Sequence, residues 1–244
     1  MNRRSAETPA PRYGRILVKL SGEALAGEGG FGIDPETVSN LVREIREIHS
    51  LGASLSVVIG GGNIVRGAVA SQKGMDRVQA DYMGMLATVI NALALQDLLE
   101  REGVETRVMT AIRMEEVAEP YIRRRALRHM EKGRVVIFAA GTGNPYFSTD
   151  TAAALRAIEM ESDVIIKATK VPGIFSDDPV KNPDAEFIPA ISFREVFTRG
   201  LGVMDAAAIA LSQENDLPVI VLSMEVPGAM AAAVRGERVG SLMS

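Results

Sequence analysis

Short apolar runs alternate with amphipathic stretches along almost the whole chain. RILVKL (15–20), SLSVVI (54–59), TRVMTA (106–111), RVVIFAA (134–140), DVIIKAT (163–169) and PVIVLS (218–223) are strand-length segments, apolar enough for burial on both faces. Helical spacing fills the intervals. Val38, Leu41, Val42, Ile45 and Ile48 recur every three or four residues behind Asp34 as N-cap and Pro35 in the first turn, and Gly52 closes that helix. A long helix is predicted from about 79 to 102, stopped by Gly103, and another over 121–132, closed by Gly133. DTAAALRAIEME (150–161) reads as a third, Ser192 and Glu195 form a capping box for a fourth, and a fifth starts near Asp205. Within 82–95, 11 of 14 positions are apolar, more than one buried stripe requires. That helix is therefore either sandwiched inside the fold or half of a subunit interface.

Strand–helix alternation of this kind implies a three-layer α/β sandwich, a mostly parallel central sheet with helices on both faces. At 244 residues one large unit is expected over 14–244, preceded by a flexible tail, 1–13, that holds Arg3, Arg4, Arg12, Pro9 and Pro11. The tail lacks the apolar core of a secretory signal, and no apolar run reaches the ~20 residues of a membrane span. A cytoplasmic protein without a membrane partner is expected.

Composition removes whole classes of chemistry. There is no Cys, which excludes disulfides, thiolate metal sites and cysteine nucleophiles, and two His are too few for a histidine metal cage. With Lys and Arg at 27 against Asp and Glu at 31, the net charge of −4 argues against nucleic-acid binding. Acyl-transfer triads are equally poorly supplied.

The informative residues follow the strands, where parallel sheets bind ligands. Lys19-Leu20-Ser21-Gly22, Gly60-Gly61-Gly62-Asn63, Gly141-Thr142-Gly143-Asn144 and Lys167-Ala168-Thr169-Lys170 all stand at such ends. Glycine lets backbone N–H groups close on an anion, and several such turns on one sheet edge point to phosphate. A Walker A loop is absent, since Gly-Lys never occurs, and a G-x-G-x-x-G match at Gly27, Gly29 and Gly32 does not follow a strand. A lysine inside an apolar strand, as Lys19 is, either meets an anion at the strand mouth or snorkels to solvent. Asp150 stands where a helix N-cap is wanted, so capping competes with a site role, and Asp81 either serves a ligand or starts the long helix. Phosphoryl transfer suits this inventory because it asks for positioning and charge neutralisation rather than a protein nucleophile.

These residues, in this order, resemble the bacterial-type uridylate (UMP) kinases of the amino acid kinase superfamily. The resemblance runs from about Arg15 to the C-terminus and rests on KLSGEAL (19–25), GFGID (30–34), VVIGGGN (57–63) with Arg66, DYMGMLAT (81–88), AGTGNPYFSTD (140–150), KATKV (167–171), DP (178–179) and VMD (203–205). It implies an N-terminal acceptor-binding part, a C-terminal ATP-binding part, and transfer from Mg²⁺-ATP to UMP. Lys19, Leu20, Ser21, Gly22, Gly62 and Arg66 would contact ATP phosphates, with Thr169, Phe175 and Asp178 on the adenosine. Gly61, Asp81 and the loop Thr142, Gly143, Asn144, Pro145, Tyr146, Phe147, Ser148 and Thr149 would hold UMP. Lys19, Asp150 and Asp205 would be catalytic, Lys19 neutralising the phosphoryl group and Asp150 orienting the cations. The resemblance also implies a hexamer, effectors GTP and UTP, and a GTP-linked segment over Gly27, Glu28, Gly29, Gly30, Phe31 and Gly32. One departure is Pro172 in KVPGIF, where the family carries an acidic residue; its missing N–H and fixed φ imply rearranged adenosine contacts. The alternatives are a superfamily kinase forming acyl or carbamoyl phosphate, or a non-catalytic nucleotide sensor or oxoanion store.

Overall fold

All six apolar runs become strands of one nine-stranded sheet. The computed structural model describes residues 11–27, 29–65 and 74–244. The strands are β1 (Arg15–Leu20), β2 (Ser54–Ile59), β3 (Thr106–Thr110), β4 (Glu119–Pro120), β5 (Val135–Ala139), β6 (Val164–Thr169), β9 (Ala190–Ile191), β10 (Val219–Ser223) and β11 (Ser241–Met243), in the order β4-β3-β5-β2-β1-β6-β10-β11-β9. Every pairing is parallel except β10 with β11. A separate antiparallel pair, β7 (Ile174–Phe175) and β8 (Phe187–Ile188), projects from the segment after β6.

Side-chain alternation divides the core in two. Ile16, Val18 and Leu20 of β1 face α1 (Pro35–Ser50), α2 (Arg77–Arg101) and α7 (Ala229–Arg235). Leu17 faces the other layer: α3 (Arg123–Glu131), α4 (Thr149–Glu159), α5 (Phe193–Thr198) and α6 (Ala206–Glu214). Period-2 alternation therefore sends Lys19, two residues beyond Leu17, to the α4–α6 side. Just ahead of β1, the Arg12 N–H donates to Val234 O at 2.9 Å, and Tyr13 packs against the core.

The helix ends decide two readings that the sequence leaves open. Ser148, not Asp150, caps α4, its Oγ accepting from the N–H groups of Asp150 and Thr151 at 3.0 and 3.2 Å. Asp76 caps α2, accepting from Gln79 N at 3.0 Å, so Asp81 lies in the second turn and is not the helix start. Asp150 and Asp81 are thus both released from capping. The capping box at Ser192 forms as expected, and the helix expected near Asp205 is capped by Asp205 itself. β4, β7, β8, β9 and β11 span two or three residues each, too short for a pattern to declare.

The long helix buries one face in the core and leaves part of its excess apolarity exposed. Met85, Val89, Ala92, Leu95 and Leu99 are buried against the sheet, whereas Tyr82, Met83, Leu86 and Ile90 leave an apolar stripe 40–49% exposed. By length and hydropathy α2 could cross a membrane, but its buried face belongs to the core.

Candidate active site

β5, β2, β1, β6 and β10 run parallel side by side, so their C-terminal ends share one edge and the four singled-out turns gather there. The turn after β1 touches the turn after β2. A Cβ on Gly22 would lie 2.5 Å from Gly62 N and 2.6 Å from Asn63 Oδ1, so the closeness of the two loops requires glycine. Gly61 is pressed against α2, where a Cβ would sit 2.7 Å from Gly84 O. Two buried polar residues on α2 complete this framework: the Asn91 amide donates to Gly60 O at 2.8 Å, and Thr88 Oγ1 accepts from Ala140 N at 2.7 Å.

The chemistry centres on a charge triad. Lys19 and Lys167 are direct register partners on β1 and β6, so their side chains emerge side by side on one face. Asp150, in the first turn of α4, divides its carboxylate between them: Oδ1 is 2.8 Å from Lys19 Nζ and Oδ2 is 2.7 Å from Lys167 Nζ. The three side chains are 12–15% exposed. Burial pushes the Asp150 pKa up, but the two ammonium charges outweigh it and hold the carboxyl below its ordinary value. Burial lowers the pKa of Lys167; Asp150 opposes that, Lys19 adds repulsion, and the value stays below that of an ordinary lysine. Lys167 also donates to Val203 O. The sequence reading gave Lys167 no role of its own. Its signal was available: a lysine in an apolar strand, on the sheet face opposite its apolar neighbours Ile166 and Ala168, as Lys19 is beside Val18 and Leu20.

Two clefts lie near the triad, one lined by Ser21, Thr149 and Thr151, which neighbour Lys19 and Asp150 along the chain, and the other by Lys167 itself. One, of about 750 Å³, is lined by Ser21, Gly61, Gly62, Asp81, Thr142, Asn144, Tyr146 to Thr149 and Asp205. Gly143 and Pro145 belong to the same loop, with Gly143 at φ +80°. The other, of about 510 Å³, is lined by Lys167, Thr169, Phe175, Asp178 and residues 199–203. In it Thr169 Oγ1 accepts from Val171 N at 3.1 Å in the turn leading to Pro172, and Phe175 meets Phe187 edge to face at 5.5 Å. Residues 203–205 separate the two clefts, Val203 lining one and Asp205 the other.

Asp205 is heavily engaged. Its oxygens accept from the Ser148 hydroxyl, from Thr151 Oγ1 at 2.8 Å, and from Ala207 and Ala208 N–H at 3.0 and 3.1 Å. It thereby joins the N-termini of α4 and α6. Leu20 is fully buried and contributes backbone alone.

The glycine segment stands apart from both clefts. Gly27 opens on a third cavity of about 550 Å³ beside α1, and Gly29 to Phe31 are exposed, Phe31 at 75%. Its end is pinned to the turn after β2, Gly32 N–H donating to Asn63 O at 2.9 Å and Asn63 Nδ2 to Gly32 O at 2.7 Å. Arg66 and Glu28 lie outside the described residues.

Comparison with known proteins fits this arrangement. Residues 14–223 match the amino acid kinase family. The chain is similar to a solved UMP kinase from Bacillus anthracis, with 43% identity, TM-score 0.92 and coverage of 95% of this chain and 96% of that one. It is also similar to a UMP kinase from Ureaplasma parvum at 39% identity and TM-score 0.89, covering 96% of this chain and 99% of that one. A uridylate kinase from Archaeoglobus fulgidus matches at 27% identity and TM-score 0.72, over 94% of this chain and 99% of that one.

Proposed function

The chain belongs to the amino acid kinase family, and on that footing we propose that it transfers the γ-phosphoryl group of ATP to UMP, giving ADP and UDP. The observation that carries this reading is the Lys19–Asp150–Lys167 triad between two clefts, Lys167 lining the smaller and the neighbours of Asp150, Thr149 and Thr151, lining the larger. Adenosine occupies the cleft of Thr169, Phe175 and Asp178. UMP occupies the larger one, with Asp81 on the ribose and the loop 142–149 around the rest. Pro172, which has no N–H and a fixed φ, supplies no backbone donor to the adenosine there.

The acceptor phosphate has a second pKa of about 6, so at neutral pH its oxygen is already deprotonated and attacks without a general base. A bond forms from that oxygen to the γ-phosphorus, the bond to the β,γ-bridging oxygen breaks, and ADP leaves with the electron pair. Lys19 and Lys167 neutralise the charge that accumulates on the transferring group, and the N–H groups of the Gly22 and Gly62 turns, with Arg66, hold the donor phosphates. Asp150 keeps the two ammonium groups together. Asp205, its oxygens already occupied by four donors, positions α4 and does not touch the reacting atoms.

The donor is Mg²⁺-ATP, the metal travelling on the triphosphate. Among the described residues no group of three acidic or histidine side chains converges.

The exposed stripe of α2 joins two copies of the chain, and such dimers build a hexamer in the cytoplasm. GTP activates through the segment Gly27–Gly32, whose link to Asn63 gives a short path to the donor turn, and UTP inhibits.

Coupled ADP release tests the reading with UMP, CMP, dUMP, carbamate and amino acids as acceptors, with and without GTP. UMP-dependent turnover supports it. Turnover with carbamate or an amino acid and none with UMP refutes it, as does nucleotide binding without ADP production.

A further inference from the structure

Arg77 is the first residue of α2 and lines the acceptor cleft, yet no motif singles it out. Its Nε donates to both oxygens of Asp81 at 2.9 Å, while the Tyr146 N–H donates to Asp81 Oδ2 at 2.8 Å. The guanidinium carbon also stands 5.5 Å from the centroid of the Tyr146 ring. Tyr146 itself is held at φ +72°, a left-handed conformation costly for a tyrosine. Two contacts therefore bind the start of α2 to the loop between β5 and α4, one through Asp81 and one through Arg77, and the Arg77–Asp81 pair links them; the Asp81 side chain is 14% exposed.

A plain i,i+4 helix pair does not account for the arrangement. An arginine in the first turn opposes the helix dipole, and a cation placed before its acid is the weaker orientation of such a pair. The helix start is already secured by Asp76. What Arg77 does accomplish is to fix the plane of the Asp81 carboxylate and neutralise it, with acceptor capacity left over. A carboxylate offers about four acceptor positions and here receives two hydrogens, one of them shared between its oxygens, so room for about two more donors remains.

We propose that Arg77 is a positioning residue for the acceptor sugar: by orienting Asp81 and holding Tyr146, it makes the site prefer a ribose to a 2′-deoxyribose. This rests on the UMP reading above. A vicinal diol donates to the free lone pairs of a carboxylate whose plane is fixed. A sugar without one hydroxyl leaves a lone pair of that carboxylate unmatched, and the penalty is sharp only while the carboxylate is held.

The test measures kcat and KM for UMP, dUMP and ATP with the parent, Arg77→Ala and Arg77→Lys, alongside urea unfolding of each. Arg77→Ala should raise KM for UMP about tenfold and lower the UMP-over-dUMP ratio of kcat/KM by a similar factor, with KM for ATP and kcat altered less than about threefold. Arg77→Lys should recover part of the ratio, because the ammonium keeps the charge without the fork. An unchanged UMP-over-dUMP ratio in Arg77→Ala overturns the proposal. So does a rise in both KM values that tracks a lower unfolding midpoint, which is the signature of a structural pair. A parent that does not act on UMP removes the underlying reading, visible before any variant is compared, and this inference with it.

Discussion

Replacing Asp150 with Asn tests the triad most directly. The substitution keeps shape and removes one charge, leaving two ammonium groups on adjacent strands in direct register with nothing between them. All three side chains are at most 15% exposed, so solvent screening is slight. Removing one partner from a buried ion pair costs about 3–5 kcal/mol. The loss also has a ceiling, because a lysine escapes repulsion by giving up its proton, which costs an ordinary lysine about 5 kcal/mol at pH 7. Lys167 is the group that yields, its pKa being already below the ordinary value. This fixes the sign of the pH dependence. In Asp150→Asn the native state binds fewer protons than the unfolded chain around pH 7–9, so stability rises with pH, more steeply than in the parent. The parent behaves differently in acid. The folded pKa of Asp150 lies below its unfolded value of 3.8, so its stabilisation is complete above that range and disappears as pH falls through the folded value. Urea unfolding at pH 7, 8 and 9, at one protein concentration, measures the effect. A variant within about 1 kcal/mol of the parent and with the parent's slope would show that the lysines do not depend on Asp150, and the triad argument would fail.

Lys19→Ala and Lys167→Ala should each lower kcat by about a hundredfold or more while changing KM for UMP little, since their charge is needed most in the transition state; near-parental turnover in either removes that lysine from the mechanism. Asp81→Ala should instead raise KM for UMP with a smaller effect on kcat, and an unchanged KM would leave Asp81 a purely structural role. Leu86→Glu with Ile90→Glu places charge on the exposed stripe of α2 and should convert the proposed oligomer to smaller species in light scattering; a parent that is already monomeric, or an unchanged mass, means that the stripe is not an interface.

Much of this architecture is legible in the sequence because its strands are buried on both faces. Continuous apolar runs such as RVVIFAA need no partner to be recognised, and their alternation with helices restricts the sheet to a parallel arrangement. The glycines of GGGN and TGN are equally visible, since a requirement for backbone proximity admits few other residues. What stays hidden is register. Nothing in RILVKL or DVIIKAT says that Lys19 will stand opposite Lys167, and without that pairing the residues alone leave Asp150 between a helix cap and a site role. The actual cap, Ser148, lies two residues upstream, and only the fold shows that one hydroxyl serves the helix so that the carboxylate need not. Arg77 escapes notice for a related reason: an Arg and an Asp four apart on a helix are common, and only the arrival of Tyr146 from a distant loop makes the pair part of a binding surface.

Register also explains why the site needs an acid that does no chemistry. Two lysines side by side at a strand mouth would repel each other through a partly dry interior, and either would escape by bending outward or losing its proton. In both cases the site would lose the cation it requires. A carboxylate with one oxygen on each ammonium stops both escapes, and placing it in the first turn of α4 adds the favourable field of the helix N-terminus. Asp205 secures the arrangement from behind, because through Ser148 and Thr151 it fixes where that first turn begins. The division of labour follows from charge: a lysine is free to answer a transient phosphoryl group only if its resting counterion is immobile. Immobility here comes from one residue on α4 held in place by another at the start of α6.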